Sequence, residues 1–385
     1  MLKQKNNMLK TNIYYGIDLG TTNSAISIME NGKPVITKTD TLKEIMPSCV
    51  YFKKNETIHV GDIAYSVMKR EKLEAMKNFD LPVSNSFFGF KRTIGTGNKY
   101  FSSNTDKEFT SVELHAEVLK ALKSFISNEN FKSVVITIPA KTNIVQREAF
   151  LRAAKLAGFE QCILLPEPIA ASLAYGLDKK NNNGYWLVFD FGGASFDATL
   201  MIVEDGNMHL IAIDGDFNLG GETLDYAIVD KIIIPYLMEN FKISRILVDN
   251  NKKKILKDAM KFYAEETKTK MSFNDKYKIL TDIGEIPGTD DNGKKFNLDI
   301  TVTQEMMQKT LGPLFQKAIT ISNHLLRVND MDSNDLDGLI LVGGPTYSPI
   351  LRRMLEEQII KPDTSINPMT IVSKGAALYA SSFYV

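Results

Sequence analysis

Cysteine and histidine are scarce in this chain. Its 385 residues include two cysteines, Cys49 and Cys162, and four histidines, His59, His115, His209 and His324. The cysteines lie too far apart to share a metal-ligand spacing, which sets aside a zinc ribbon and a disulfide scaffold and suggests reduced, mostly buried thiols. The histidines are scattered without triad context, so none is assigned a catalytic part. An excess of charge of either sign is missing as well. The 46 basic and 46 acidic side chains cancel, which gives no argument for a nucleic-acid or membrane-surface partner. No run of 18 apolar residues occurs, so no segment reads as a membrane span. The start, MLKQKNNMLKTN, carries lysines but no apolar stretch of signal-peptide length. We read it as a polar tail, residues 1–12, ahead of a fold that begins near Ile13 in a cytoplasmic, monomeric protein.

What is present is ample apolar material, 44% of residues, enough for two or three domain-sized units. Residues 14–28, YYGIDLGTTNSAISI, run as a buried strand to Asp18, pass through Gly20, Thr21, Thr22 and Asn23, and resume alternation. Residues 186–206, WLVFDFGGASFDATLMIVEDG, repeat the design from Asp190 through Gly192, Gly193, Ala194 and Ser195. Each is followed by a hairpin signal, Asn31-Gly32 or Asp205-Gly206. Strand and helix then alternate. SVELHAEVLKALKSFISN puts Leu114, Val118, Leu119, Leu122, Phe125 and Ile126 on one helical face. SVVITIPA reads as a strand, and QREAFLRAAKLAG as a helix stopped by Gly158. In the second half a helix around 304–326 precedes the strand GLILVGG and a helix from about Pro349 to Glu357. The expectation is an α/β fold of two similar lobes, 13–185 and 186–385, with a ligand cleft between them. Residues 50–112 and the helical stretch 228–275 are expected as insertions in the first and second lobe.

A carboxylate at the end of a strand, beside bare backbone and hydroxyls, suits one ligand class. Backbone N–H groups at Gly20, with the Thr21 and Thr22 hydroxyls, can wrap an oxyanion. Asp18 would repel a phosphate unless a cation stood between, which points to Mg²⁺ held largely through water. Asp190 and its loop repeat the arrangement, so two facing loops would clamp one polyphosphate and its metal. Either loop alone reads equally well as a tight turn with an aspartate as turn former; the repetition favours the clamp. Gly220-Gly221, opening a helix near Thr223, and Gly343-Gly344, between a buried strand and a helix, add two glycine turns that suit a nucleotide enclosed by backbone.

The segments GIDLGTTNSAISI, FKRTIG, VVITIPA, LLPEPIAASLAYGLDK, FDFGGASFDATL, VEDG, NLGGETLD and LILVGGPT, in this order and approximate spacing, resemble the ATPase domain of the 70-kilodalton heat-shock (DnaK-type) chaperones. The likeness runs over residues 13–382. It implies an actin-like ATPase fold, each lobe built on a ribonuclease H-like sheet, with ATP or ADP and Mg²⁺ in the cleft and slow hydrolysis to ADP and phosphate. It implies that Asp18 and Asp190 order the metal's water shell, and that Thr21 and Thr22 bind phosphate with Asn23 as buttress. Lys91 would reach the γ-phosphate and orient the attacking water, which Glu167 and Asp197 would help to place. Ser195 matches a family threonine beside the γ-phosphate. Gly220, Gly221, Glu222, Gly343, Gly344 and Pro345 would line the phosphate and ribose path, and Glu265, Lys268 and Ser272 would meet ribose and base. Phosphoryl transfer to water needs neutralised charge and in-line positioning more than covalent help, and such a set supplies both.

The sequence also departs from the family pattern. Thr269 and Tyr347 stand where two arginines sandwich the adenine, Ala194 where a third glycine is usual, and Met369 where an aspartate is usual. Pro139 and Arg147 are kept from the proline-switch region, but Pro166 and Ile163 replace an asparagine and a basic residue of the coupling region. Coupling to a J-domain co-chaperone and a nucleotide-exchange factor is therefore expected to be altered. The chain ends at YASSFYV without the apolar linker and β-rich peptide-binding domain of the family, so it is expected to cycle nucleotide without holding a client. Two other readings compete. A degenerate heat-shock-like regulatory module, acting through protein contacts, is favoured by the lost adenine and coupling residues. An actin-like filament former is disfavoured by the chaperone-specific motifs.

Overall fold

The computed structural model describes residues 15–81, 84–126, 131–178 and 182–382; the tail expected over 1–12 lies outside them. The apolar strand Tyr15–Leu19 is buried almost throughout, which places it inside a sheet and not at its edge. The order across that sheet is Gln161–Pro166, Ser133–Ile138, Tyr15–Leu19, Asn23–Glu30 and Lys33–Ile36, with Met46–Pro47 also pairing with Asn23–Glu30. The first three strands of that order are parallel and the others antiparallel. A second sheet runs Asn207–Asp216, Phe196–Glu204, Gly184–Phe191 and Leu336–Val342, with the last pair parallel. In both sheets three antiparallel strands come in chain order and a parallel partner joins beside the first of them. This is the pattern that the sequence repeat suggests.

Both predicted hairpins form. Asn31 and Gly32 sit at φ 50° and 74°, and Asp205 and Gly206 at φ 51° and 78°, the left-handed pair that a two-residue hairpin turn requires. Helix Ser111–Ser124 buries Leu114, Val118, Leu119 and Leu122, and a capping box between Thr110 and Glu113 closes its N-terminus. Phe125 and Ile126 follow that helix, packed against the same core. The other predicted helices appear as Ile144–Leu156, Gln304–Arg327 and Pro349–Gln358. Residues 228–275 are mainly helical, with Asn250–Met271 as the long element. Residues 50–112 instead combine short strands around Cys49–Phe52, helix Asp62–Glu74 and the hairpin of Lys99–Ser102 and Lys107–Thr110. Cys49 and Cys162 are free; burial pushes both thiols up, Cys162 to about 12. Among the described residues no helix is long and apolar enough to cross a membrane.

Helix Ile371–Ser381, late in the chain, returns to its beginning. The Ser27 and Ser373 hydroxyls share a buried hydrogen bond of 2.9 Å. Gly375 lets this helix cross Glu167–Tyr175 in close contact, since a Cβ there would lie 1.6 Å from the Ala170 carbonyl oxygen. Val135 and Leu165 of the first sheet, Val188 and Ile340 of the second, and Ile371, Val372 and Ala376 of this helix share one buried cluster. That common core sets the strand ends bearing Asp18 and Asp190 against each other.

Candidate functional site

The two aspartate loops meet at a cavity of about 470 Å³. Asp18, Gly20, Thr21, Thr22 and Asn23 line it from the first loop, and Asp190, Gly192, Gly193, Ala194, Ser195 and Asp197 from the second. Lys91, Glu167, Gly343 and Gly344 complete the predicted residues in its wall. The loops touch: a Cβ on Gly193 would lie 2.2 Å from the Thr22 side chain. Ser48 holds the first loop, its hydroxyl donating to the Gly20 carbonyl at 2.8 Å and its N–H to the Thr22 carbonyl at 2.8 Å. In the second loop the Gly192 N–H donates to the Ser195 carbonyl at 2.9 Å.

Gly220, Gly221 and Glu222 lie behind this second loop and outside the cavity lining. The reason is the start of helix Gly221–Ile228, whose first N–H groups need acceptors. Gly221 donates to the Gly192 carbonyl at 2.9 Å and Glu222 to that of Gly193 at 2.8 Å. These residues therefore shape the loop from behind. Glu222 pairs with Arg92 at 3.0 Å and with Lys261 at 3.2 Å.

Electrostatics dominate the cavity. Lys91, 9% exposed on the 3-10 turn Phe90–Thr93, donates to Glu167, the first residue of helix Glu167–Tyr175, at 2.9 Å. Thr137 donates its hydroxyl to Asp18 at 3.3 Å. Burial, then the charge of Glu167, raises Asp18 to about 7 against the pull of Lys91 and Thr137. Burial and Glu167 raise Asp197 to about 6, opposed by Lys141 and Lys91. Asp190 is held well above the ordinary carboxylate range by burial, Glu167, Asp197 and Asp18. Burial pulls Lys91 down, but Glu167, Asp18 and Asp190 outweigh it and the net shift is upward. The raised carboxyls mark a local shortage of positive charge, which a hard divalent cation with oxygen ligands fits. Among the described residues no group of three His, Cys, Asp or Glu side chains forms a ready-made metal site.

The sequence matches the model of the Hsp70 protein family over residues 14–383. The chain belongs to the Hsp70 family. It is 34% identical over 394 residues to the chaperone protein dnaK of Cyanidioschyzon merolae, an alignment covering 95% of this chain and 61% of that protein. It is 33% identical over 389 residues to the chaperone protein dnaK of Cyanidium caldarium, covering 94% of this chain and 59% of that one. The Hsp70-family chain thus spans about three fifths of the length of these relatives.

The residues predicted for the base end of this Hsp70-family chain, Glu265, Lys268, Thr269, Ser272 and Tyr347, do not line the cavity, and neither does Pro345, predicted for the phosphate and ribose path. Glu265 accepts the Tyr65 hydroxyl. Lys268 is held by Asp225 at 2.5 Å and by the Gly221 carbonyl at 2.9 Å. Thr269 and Ser272 donate to carbonyls of their own helix, at 2.9 and 3.1 Å. Tyr347 donates to Asn367 at 2.7 Å, with the Phe273 ring 5.2 Å away and the Arg352 guanidinium 5.5 Å from its centroid. Sequence reasoning does not reach Phe273 or Arg352. Lys141, Thr142, Gln146, Phe150, Phe217 and Asn218 of the cavity wall are likewise unforeseen. Thr137 left a signal, a hydroxyl inside the otherwise apolar strand VVITI.

Proposed function

We propose that this Hsp70-family chain binds ATP with Mg²⁺ and hydrolyses it slowly, as a nucleotide switch of two-lobed, actin-like architecture with lobes 13–185 and 186–385. The observation that carries the proposal is the meeting of the two aspartate loops around the Lys91–Glu167 pair. The Thr21, Thr22 and Ser195 hydroxyls and the loop N–H groups would bind phosphate oxygens. Asp18 and Asp190 would hold the water shell of Mg²⁺, which when bound neutralises phosphate charge. Lys91 would direct its N–H groups at the γ-phosphate and the attacking water, while Glu167 and Asp197 would accept hydrogen bonds from that water. In a complete dnaK-type chaperone this cycle would govern peptide release, with J-domain and exchange-factor coupling altered by Pro166 and Ile163. A single-turnover ATP assay separates this reading from a regulatory module, which would bind nucleotide without turnover.

Asp18→Asn and Asp190→Asn are each expected to weaken Mg²⁺-dependent ATP retention, on the order of 10- to 100-fold. Calorimetry with Mg²⁺ and with EDTA checks this, and equal affinity in both contradicts the clamp. The pH dependence has two opposite signs. Asp18 and Asp197 keep protons up to about 7 and 6, and a cation must displace them. Affinity for Mg²⁺-ATP should therefore rise through this range and level off above it. In the metal-free fold the raised carboxyls contribute stability that is full below their ordinary 3.8 and lost as pH rises through about 7. Asp190→Asn should accordingly raise the metal-free Tm at pH 8 while weakening Mg²⁺-ATP binding. A lower Tm would remove the charge-shortage argument.

Base recognition should be weak. The Phe273 and Tyr347 centroids, 5.2 Å apart, leave no room for a base between them, because two stacked faces need about 7 Å. Affinity would then rest on phosphates and Mg²⁺, with ATP and GTP within about tenfold of each other. Thr269→Arg should tighten adenine nucleotides and Tyr347→Ala should loosen them, each by a cation–π or stacking increment of roughly 0.5–2 kcal/mol. Titration of ATP, GTP and adenosine checks this; strong adenosine binding or a hundredfold rejection of GTP contradicts it.

A further inference from the structure

Lys91 is carried by one short 3-10 turn, so the hold on that turn decides where its ammonium points. The Phe90 carbonyl accepts two hydroxyls. Thr93 donates from within the turn at 3.0 Å, and Ser111, the first residue of helix Ser111–Ser124, donates at 2.6 Å. One turn further along that helix lies His115, 1% exposed. Its Nδ1 is 2.7 Å from the Ser111 carbonyl, so Nδ1 carries the proton and Nε2 keeps its lone pair. Among the described residues Nε2 is buried without a hydrogen-bond partner. The imidazole packs edge-on to Phe90, centroids 4.8 Å apart at 89°, and to Phe150 at 5.7 Å and 77°. Phe150 lines the cavity, and the Lys91 Nζ is 6.0 Å from its ring centroid. Burial and the nearby Lys91 cation keep this imidazole neutral, against the Ser111 hydrogen bond.

A buried ring with an idle nitrogen costs stability, and a plain hydrocarbon would fill the space more cheaply. What histidine adds is an orientation fixed by a hydrogen bond. We infer that Ser111 and His115 are positioning residues for Lys91: Ser111 pins the backbone of its turn, and His115 fixes the two phenylalanines beside its side chain. The catalytic consequence rests on the proposed ATP hydrolysis; the anchoring itself does not.

The test therefore reads both. Acetic anhydride labelling of the folded protein, followed by mass spectrometry, reports the protection of Lys91 against the exposed Lys99 and Lys107, whose side chains are 58% and 61% accessible. Ser111→Ala should raise Lys91 labelling about tenfold through local opening, Ser111→Thr should restore it, and His115→Phe should raise it about threefold. In single-turnover ATP assays Ser111→Ala should slow hydrolysis about tenfold with ATP affinity within twofold, a misplacement effect. Wild-type labelling in both Ser111→Ala and His115→Phe overturns the inference. So does a rate loss matched by an equal loss of affinity. If Ser111→Ala fails to fold, His115→Phe, which keeps the ring, decides on Lys91 labelling alone. Raised labelling in a protein whose parent hydrolyses no ATP sustains the anchor and removes the ATPase reading instead.

Discussion

Lys91→Ala is expected to slow ATP hydrolysis on the order of 100- to 1,000-fold while leaving ATP binding nearly intact. The asymmetry follows from where the group sits. Lys91 is buried, paired with Glu167 at 2.9 Å, and kept charged by the acids around it. A cation held in place costs no reorganisation when charge develops on the transferring phosphoryl group, so its contribution falls on the transition state. Ground-state affinity, on the proposed reading, would be spread over the two backbone loops and the metal's water shell. Removing Lys91 leaves Glu167, Asp18, Asp190 and Asp197 less compensated, so the comparison belongs at saturating Mg²⁺. Single-turnover kinetics and calorimetry together decide it. Unchanged hydrolysis would take Lys91 out of the mechanism, and a parallel loss of binding would make it a phosphate ligand only.

Gly375→Val should destabilise the whole protein by about 4 kcal/mol, a shift of roughly 5 °C in Tm for a chain of this length. Its Cβ would meet the Ala170 carbonyl oxygen at 1.6 Å and the carbonyl carbon at 2.4 Å. Those are backbone atoms in the middle of helix Glu167–Tyr175, so relief requires moving the helix and not a side chain. Glu167 begins that helix and would move with it. Any protein that survives the substitution should therefore also show a loosened Lys91–Glu167 pair and slower hydrolysis. Thermal unfolding checks the first claim. A Tm within about 2 °C of the parent would mean that the two helices part without cost.

The features legible in the sequence were those carried by contiguous residues. Asn31-Gly32 and Asp205-Gly206 declare their hairpins because the turn geometry is local. The Asp18 and Asp190 loops are visible because carboxylate, glycine and hydroxyl fall within a few positions of each other and the pattern occurs twice. The unforeseen residues come from elsewhere in the chain. Ser48 and Thr137 reach the first loop from 28 and 119 residues away; the hydroxyl within VVITI marks Thr137 as unusual, but nothing local ties either residue to that loop. Gly220 and Gly221 look like a phosphate loop by composition, yet the nearest acceptors for the helix's first N–H groups are the carbonyls of the other loop. The Thr269 and Ser272 hydroxyls are taken up by their own helix because short hydroxyls there find the carbonyl one turn back.

The position of helix Ile371–Ser381 has a bearing on how the protein is made. A ribosome delivers Tyr15–Leu19 early, and this strand can pair at once with its hairpin neighbour. The helix that packs beside Gly16 emerges only about 350 residues later, roughly 20 to 70 s at ordinary elongation rates. Val135, Leu165 and Val188, made well before it, lack until then the side chains of Ile371, Val372 and Ala376 that share their buried cluster in the finished fold. The nascent chain of this Hsp70-family protein thus displays apolar surface of the kind that attracts chaperones, and its two sheets are locked together by a helix made long after the strand it packs on.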